Sequence, residues 1–294
     1  MALTPPAETP ARRLPEWLRT KTGKRRLTEM THAVVHAHGL HTVCEGAHCP
    51  NIGECYSRHV ATFMILGNVC TRNCGFCAVN SGEPAPVDPE EPQRVAAAAV
   101  ELGLKFVVVT SVTRDDLPDG GSGQFAATIR AIHAAMPGAK VEVLTPDFLG
   151  DSGQLATVLD AGPEVFNHNV ETVRRLQATV RPQADYERSL GVLRRAARTA
   201  PHIPTKSGIM VGLGETEAEV HETLRDLIDA GCKIVTIGQY LQPSRRHIPV
   251  AAYITPQEFA AYEQHAYALG FQHVASGPFV RSSYHAEQAV GVLA

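Results

Sequence analysis

Six of the chain's seven cysteines fall between positions 44 and 77, and only Cys232 stands apart. An odd count grouped this tightly argues against a disulfide framework and for metal ligation in a reducing compartment. Cys70, Cys74 and Cys77 form a C-x3-C-x2-C run just after Thr62 to Leu66, an apolar stretch that reads as a strand. Three thiolates on one loop at the carboxyl end of a strand can ligate three irons of a four-iron cubane. The fourth iron then keeps an open position for a small molecule, as a catalytic metal does. The competing reading is zinc, although zinc sites usually show paired C-x2-C knuckles and four ligands.

Cys44, Cys49 and Cys55 make a second group, C-x4-C-x5-C, ahead of that strand, and it too is one ligand short of four. The later run, with Phe76 before its last cysteine, resembles the radical S-adenosylmethionine superfamily. The stretch from Thr42-Val43-Cys44 to Glu54-Cys55 resembles lipoyl synthases within that superfamily, and Arg281-Ser282-Ser283-Tyr284 is similar to the same family's Arg-Ser-Ser-Tyr motif. The resemblance runs from about residue 14 to the end. It implies two [4Fe-4S] clusters and S-adenosyl-L-methionine, with Cys70, Cys74 and Cys77 holding the cluster that cleaves the cofactor to a 5′-deoxyadenosyl radical. Cys44, Cys49 and Cys55 would hold an auxiliary cluster consumed as the sulfur source. A serine completes it in the family, and the implied ligand is Ser283, with Ser282 as second choice. Without the cysteines, two serines in such a place would read as an ordinary polar turn.

The implied activity is insertion of two sulfur atoms at C6 and C8 of a protein-bound octanoyl group. The implied partners are octanoylated lipoyl carrier proteins, namely the lipoyl domains of 2-oxoacid dehydrogenases and the glycine cleavage H protein, and a reducing donor such as ferredoxin or flavodoxin. The alternative within the superfamily is a methylthiotransferase acting on a different substrate. A non-catalytic zinc or iron-sulfur protein is the alternative outside it.

The elements that must position these groups are legible as alternating strands and helices. Thr62 to Leu66, Lys105 to Ser111, Lys140 to Leu144, Glu164 to Asn169, Ile203 to Val211 and Lys233 to Tyr240 read as buried parallel strands. Helical patterns fit Leu27 to His38 and residues 90–102, 122–135, 152–161, 185–199 and 216–230. Asp88 before Pro89 predicts a helix start, and Thr255-Pro256-Gln257-Glu258 a capping box. Six such units imply a parallel sheet, which either curls toward a barrel or opens into a doubly wound layer. The resemblance selects a partial (β/α)6 TIM-like barrel with N-terminal and C-terminal extensions. Residues 1–60 would carry the auxiliary-cluster cysteines, 61–270 the barrel, and 271–294 the serine ligand.

In such a barrel the cofactor contacts lie at the carboxyl ends of the strands. Phe76 matches the family position near the adenine. Asn167 and Glu171, at the fourth strand's end, could hold the ribose or the methionine moiety, or could simply cap the next helix. Gly208, Gly212 and Glu215 resemble the superfamily's adenine motif, with Met210 in its isoleucine place. Gly120 and Gly121 occupy the place of the superfamily's Gly-Gly-Glu, with Ser122 replacing the acid. Lys206 is a candidate to pair with a cofactor carboxylate, weighed against an ordinary surface lysine. The histidines read as hydrogen-bonding residues, and Cys232 as a buried apolar thiol.

Composition narrows the class further. The 27 Lys+Arg and 30 Asp+Glu nearly balance, so no general attraction to nucleic acid or to anionic membrane is implied. No stretch has the uninterrupted apolar length of a membrane span or a secretory signal, so a bacterial-type cytoplasmic location is expected. The first 26 residues are proline-rich and then basic, with Arg12, Arg13, Arg19, Lys21, Lys24, Arg25 and Arg26 against Glu16. That arm reads either as a solvated tail or as a docking surface for an acidic partner.

Overall fold

The computed structural model describes residues 14–19 and 25–293; most of the basic arm lies outside the described residues. Seven parallel strands form one sheet: β1 (Thr62–Ile65), β2 (Phe106–Ser111), β3 (Lys140–Leu144), β4 (Val165–Asn167), β5 (Thr205–Val211), β6 (Ile234–Gln239) and β7 (His273–Gly277). Each pairs with the next in sequence, from Thr62 beside Val108 to Gly238 beside Gly277. A doubly wound sheet would reverse this order partway. Its absence, with right-handed crossovers, puts the helices on one face and rolls the sheet into an open barrel.

Six strands match the apolar runs of the sequence. The seventh was not foreseen: in His273–Gly277 Val274 alone is buried, and the segment lacks a β-branched run, so little marks it locally. It falls within 271–294, together with α11 (Ala286–Leu293). The remaining helices are α1 (Arg25–Ala37), α2 (Val43–Gly46), α3 (Ile52–Ser57), α4 (Glu91–Glu101), α5 (Ser122–Ala135), α6 (Ser152–Leu159), α7 (Gln177–Val180), α8 (Tyr186–Thr199), α9 (Glu217–Asp229) and α10 (Pro256–Leu269). The Thr255–Glu258 capping box forms with both of its hydrogen bonds. The expected start at Asp88-Pro89 is corrected. The α4 helix begins at Glu91 with Pro92 in its first turn, and Asp88 instead accepts from the Glu90 amide and pairs with Arg94.

Side-chain alternation along the strands separates two environments. Val141, Val143, Ile209 and Val211 face outward into the cores shared with the helices. Residues of the opposite parity face the barrel interior, whose floor is Val165, Ile234 and Ala289 of α11. Above that floor Glu142, Asn167 and Lys206 form a buried polar layer.

The barrel's open side is closed by chain segments distant in sequence. The stretch before α2 runs along β1, with Thr42 bridged to Phe63 and the Met64 amide donating to His41, so the β1 edge is covered. Asn51 donates to the Phe279 carbonyl at 2.7 Å, and the Tyr284 hydroxyl donates to Glu54 at 3.1 Å. These two contacts join the first cysteine segment to the end of the chain.

Candidate active site

The cluster loop is fixed from both sides. Val69–Cys70 pairs with Asn80–Ser81 as a two-residue ribbon, and the Cys70 thiol accepts from the Arg72 and Thr113 amides. The Gly75 amide donates to Val180, the Gly75 carbonyl accepts from Ile248, and His247 bonds to the Cys77 carbonyl at 2.9 Å. Beneath the loop, Arg72 donates twice to Asp115, at 2.7 and 2.8 Å, and once to Asp147 at 2.7 Å. Arg188 takes the other Asp147 oxygen at 2.8 Å. Burial alone would raise the Asp147 carboxyl, but Arg72, aided by Arg188, holds it well below the usual carboxylate range.

The first cysteine group sits on short helices the sequence pattern did not mark. Cys44 lies in α2, whose N-cap Thr42 accepts from the Glu45 amide, and Cys55 lies in α3, with Cys49 between them. The signal was present in Thr42 and Asn51 standing directly before Val43 and Ile52, which is where capping residues belong.

Both groups open onto one cavity of about 490 Å³, lined by Cys44, Cys49, Cys70, Cys74, Cys77 and the Ser282-Ser283 segment. Cys55 does not line it but neighbours Cys44 and Cys49. Burial, reinforced by Cys44 and Cys49, pushes its thiol up to about 12. Burial likewise pushes Cys44 to about 11 and Cys77 to about 12. Without a ligand these are protonated thiols, so uptake of a metal centre must release protons. Neither triad is among the groups of ligand atoms lying within 4.8 Å of one another in the described residues. One tetrahedral zinc would need that closeness, whereas a cubane spreads its thiolates over three irons.

Of the residues expected at the cofactor, Phe76 and Glu171 line the cavity. Glu171 has a left-handed backbone (φ 67), unusual for a residue with a side chain, and accepts from Asn169 at 3.0 Å. Burial raises its carboxyl, opposed by Arg181. Asn167, Lys206 and Gly212 do not line the cavity. Asn167 donates to Glu142 at 3.2 Å. The carboxylate that Lys206 pairs with is the protein's own Glu142, at 2.7 Å, and the ammonium also donates to the Ser282 carbonyl at 2.6 Å. Gly212 (φ 96) packs where a Cβ would stand 2.5 Å from the Ala252 carbonyl, and its amide donates to Glu215. Gly120 and Gly121 also lie off the cavity; Gly121 (φ 86) turns the chain into α5.

The two serines differ. The Ser282 hydroxyl accepts from Asn169 at 2.6 Å, whereas no hydrogen bond ties the Ser283 side chain among the described residues. Sequence reasoning also missed three residues of the wall. His168 bonds through Nδ1 to the Thr145 carbonyl at 2.9 Å, Asn169 joins Glu171 to Ser282, and Arg181 donates to the Asn169 and Val170 carbonyls. The Nε2 of His168, Oδ1 of Asn169, Nε of Arg181, Oγ of Ser111 and Oγ1 of Thr145 are buried without a partner, and all five residues line the cavity. Buried polar atoms are ordinarily satisfied. Their gathering here marks a place for a polar ligand. No helix among the described residues is long and apolar enough to cross a membrane.

Known proteins agree with this arrangement. The Radical SAM superfamily profile matches residues 64–227. The lipoyl synthase of Caldanaerobacter subterraneus subsp. tengcongensis is 58% identical over 94% of this chain and 96% of its own length. That of Rubrobacter xylanophilus is 57% identical over 93% of this chain and 85% of its own. Among solved structures, a methylornithine synthase is similar in fold, with a TM-score of 0.53 at 13% identity, covering 91% of this chain and 82% of that one. With relatives this near over almost its full length, and thiols grouped at the mouth of an open parallel barrel, the chain belongs to the lipoyl synthase family of radical SAM enzymes.

Proposed function

We propose that this chain inserts sulfur at C6 and C8 of an octanoyl group on a lipoyl carrier protein, using two [4Fe-4S] clusters that share one cavity. The observation that carries the reading is the common cavity, which both cysteine groups and Ser282-Ser283 reach. When bound, S-adenosyl-L-methionine and the cluster on Cys70, Cys74 and Cys77 supply hydrogen-atom abstraction, and an auxiliary cluster on Cys44, Cys49, Cys55 and Ser283 supplies sulfide.

The chain's own residues bind, orient and shield. Phe76 offers an apolar wall for the adenine, and Glu171, Asn169 and Arg181 offer charge and hydrogen bonds to the polar end of the cofactor. His168, neutral and with Nδ1 engaged, presents an accepting Nε2 to the cavity. Lys206, Asn167 and Gly212 act through neighbours: Lys206 through Glu142 and Ser282, Asn167 through Glu142, Gly212 by letting the chain pack closely beneath Gln239. Ser282, tied to Asn169 and Lys206, sets the position from which the untied Ser283 reaches the auxiliary site. We place the reaction in the cytoplasm, with ferredoxin or flavodoxin as donor and a lipoyl domain or glycine cleavage H protein as carrier.

The test is the mass of an octanoylated lipoyl-domain peptide after anaerobic, reducing turnover. A gain of two sulfurs is expected. Cys44→Ala should still cleave the cofactor while inserting no sulfur; loss of both activities, or no sulfur gained by the unaltered chain, rejects the division of labour.

A further inference from the structure

We propose that His32, His36 and Glu45 form a divalent transition-metal site of the zinc type, on the outer side of the first cysteine segment and separate from the cavity. His32 and His36 are four residues apart on α1, so they share one face of the helix. Their rings stack at 4.0 Å between centroids and 17° between planes, which aims both imidazole edges in one direction. Both Nε2 atoms meet the same carboxylate: His32 lies 3.8 Å from Glu45 Oε1 and His36 3.1 Å from Oε2. The three ligand atoms lie within 4.8 Å of one another.

Each oxygen of the one carboxylate faces a different imidazole nitrogen. The second, parallel ring brings another nitrogen to the same carboxylate, so two imidazoles and a carboxylate converge on one point open to solvent. A dication between two imidazoles and a carboxylate resolves the convergence. Two histidines and a glutamate are a known zinc donor set, with a fourth position left to water. The two histidines are each 54% exposed, so an ion can enter from solvent.

The carboxylate is held ready for it. Glu45 Oε1 accepts from the Tyr56 hydroxyl at 3.0 Å, and Tyr56 is fully buried and bonded to Thr42 at 2.8 Å. Such outer partners orient a metal ligand. Because Glu45 follows Cys44 and Tyr56 follows Cys55, an ion here would rivet α1 to the segment that carries the first cysteines. The site stands on its own geometry, whatever those cysteines bind.

The test is made on the chain reconstituted anaerobically with iron and sulfide, titrated with zinc against a chromophoric chelator and then desalted. The expected result is one zinc per chain at unchanged iron content, with an oxygen and nitrogen shell in zinc-edge X-ray absorption. His32→Ala/His36→Ala removes exposed side chains, and its zinc affinity should fall more than about 100-fold, beyond the loss typical of an outer-partner substitution. Equal zinc binding by both proteins, no zinc on the unaltered chain, or a sulfur neighbour at about 2.3 Å overturns the proposal.

Discussion

The Asn169 amide donates to the Ser282 hydroxyl at 2.6 Å, across 113 residues of sequence, and the same amide donates to Glu171 at 3.0 Å. One side chain at the end of β4 therefore ties the tail of the chain to the cavity wall. It also separates two adjacent serines that the sequence alone presents as near equals.

That separation gives the first prediction. Ser283→Ala should abolish sulfur insertion while cofactor cleavage continues, because it removes the untied oxygen proposed as the fourth auxiliary ligand. Ser282→Ala removes one hydrogen bond, of the order of 1 kcal/mol, and should slow insertion less than about tenfold. Product mass and released 5′-deoxyadenosine, measured together, check both; the reverse ranking would transfer the ligand role to Ser282.

The difference between the serines shows where sequence reasoning stops. The cysteine spacings are local, so the loop at the end of β1 and the group before it were readable directly. Six strands were readable because the runs are mostly β-branched or apolar and are generally followed by a helical pattern. The polar interior was not, because it is written in pairings between strands. Lys206 looks like a ligand for a cofactor until β3 brings Glu142, 64 residues away, to within 2.7 Å of it. Arg181 and His168 carry no local mark at all: each is functional in appearance only after the fold buries it beside the cavity with a nitrogen left unpartnered.

His168 supplies a pH dependence. Burial, with Arg181 adding to it, lowers its folded value from 6.5 to about 4. As pH falls below 6.5 the unfolded chain takes the proton first, so stability declines down to about 4 and levels off beneath it. The loss attributable to this residue between pH 7 and pH 5 is about 2 kcal/mol. His168→Gln should flatten that part of the profile, read as urea midpoints on the reconstituted chain; an unchanged slope would mean His168 is not buried neutral.

Arg72 lies within the cysteine loop but points away from the cavity, holding Asp115 and Asp147 together. Lysine cannot reproduce its fork of donors, and Asp147 is fully buried. Arg72→Lys is expected to lower stability by about 2–4 kcal/mol and to let iron leave faster from the Cys70, Cys74 and Cys77 loop. Thermal melting and the rate of iron transfer to a chelator test this; a normal melt with fast iron loss would locate the effect in the loop alone.

The Lys206–Glu142 pair allows stability and positioning to be separated. Lys206→Met strands a carboxylate in the barrel interior, which typically costs about 3–5 kcal/mol, and burial has already raised that carboxyl even with Lys206 opposing. Replacing both residues, Lys206→Met with Glu142→Leu, removes the stranded charge and should recover most of the loss, since apolar side chains often substitute for a buried ion pair. Recovery of the fold does not restore the donor that Lys206 gives to the Ser282 carbonyl at 2.6 Å. The double variant should therefore unfold at nearly the original urea concentration and still cleave the cofactor, yet insert sulfur at less than about a tenth of the original rate, a tenfold loss being equivalent to about 1.4 kcal/mol. If insertion returns together with stability, the pair serves the barrel only, and the tail is positioned by Asn169 without it.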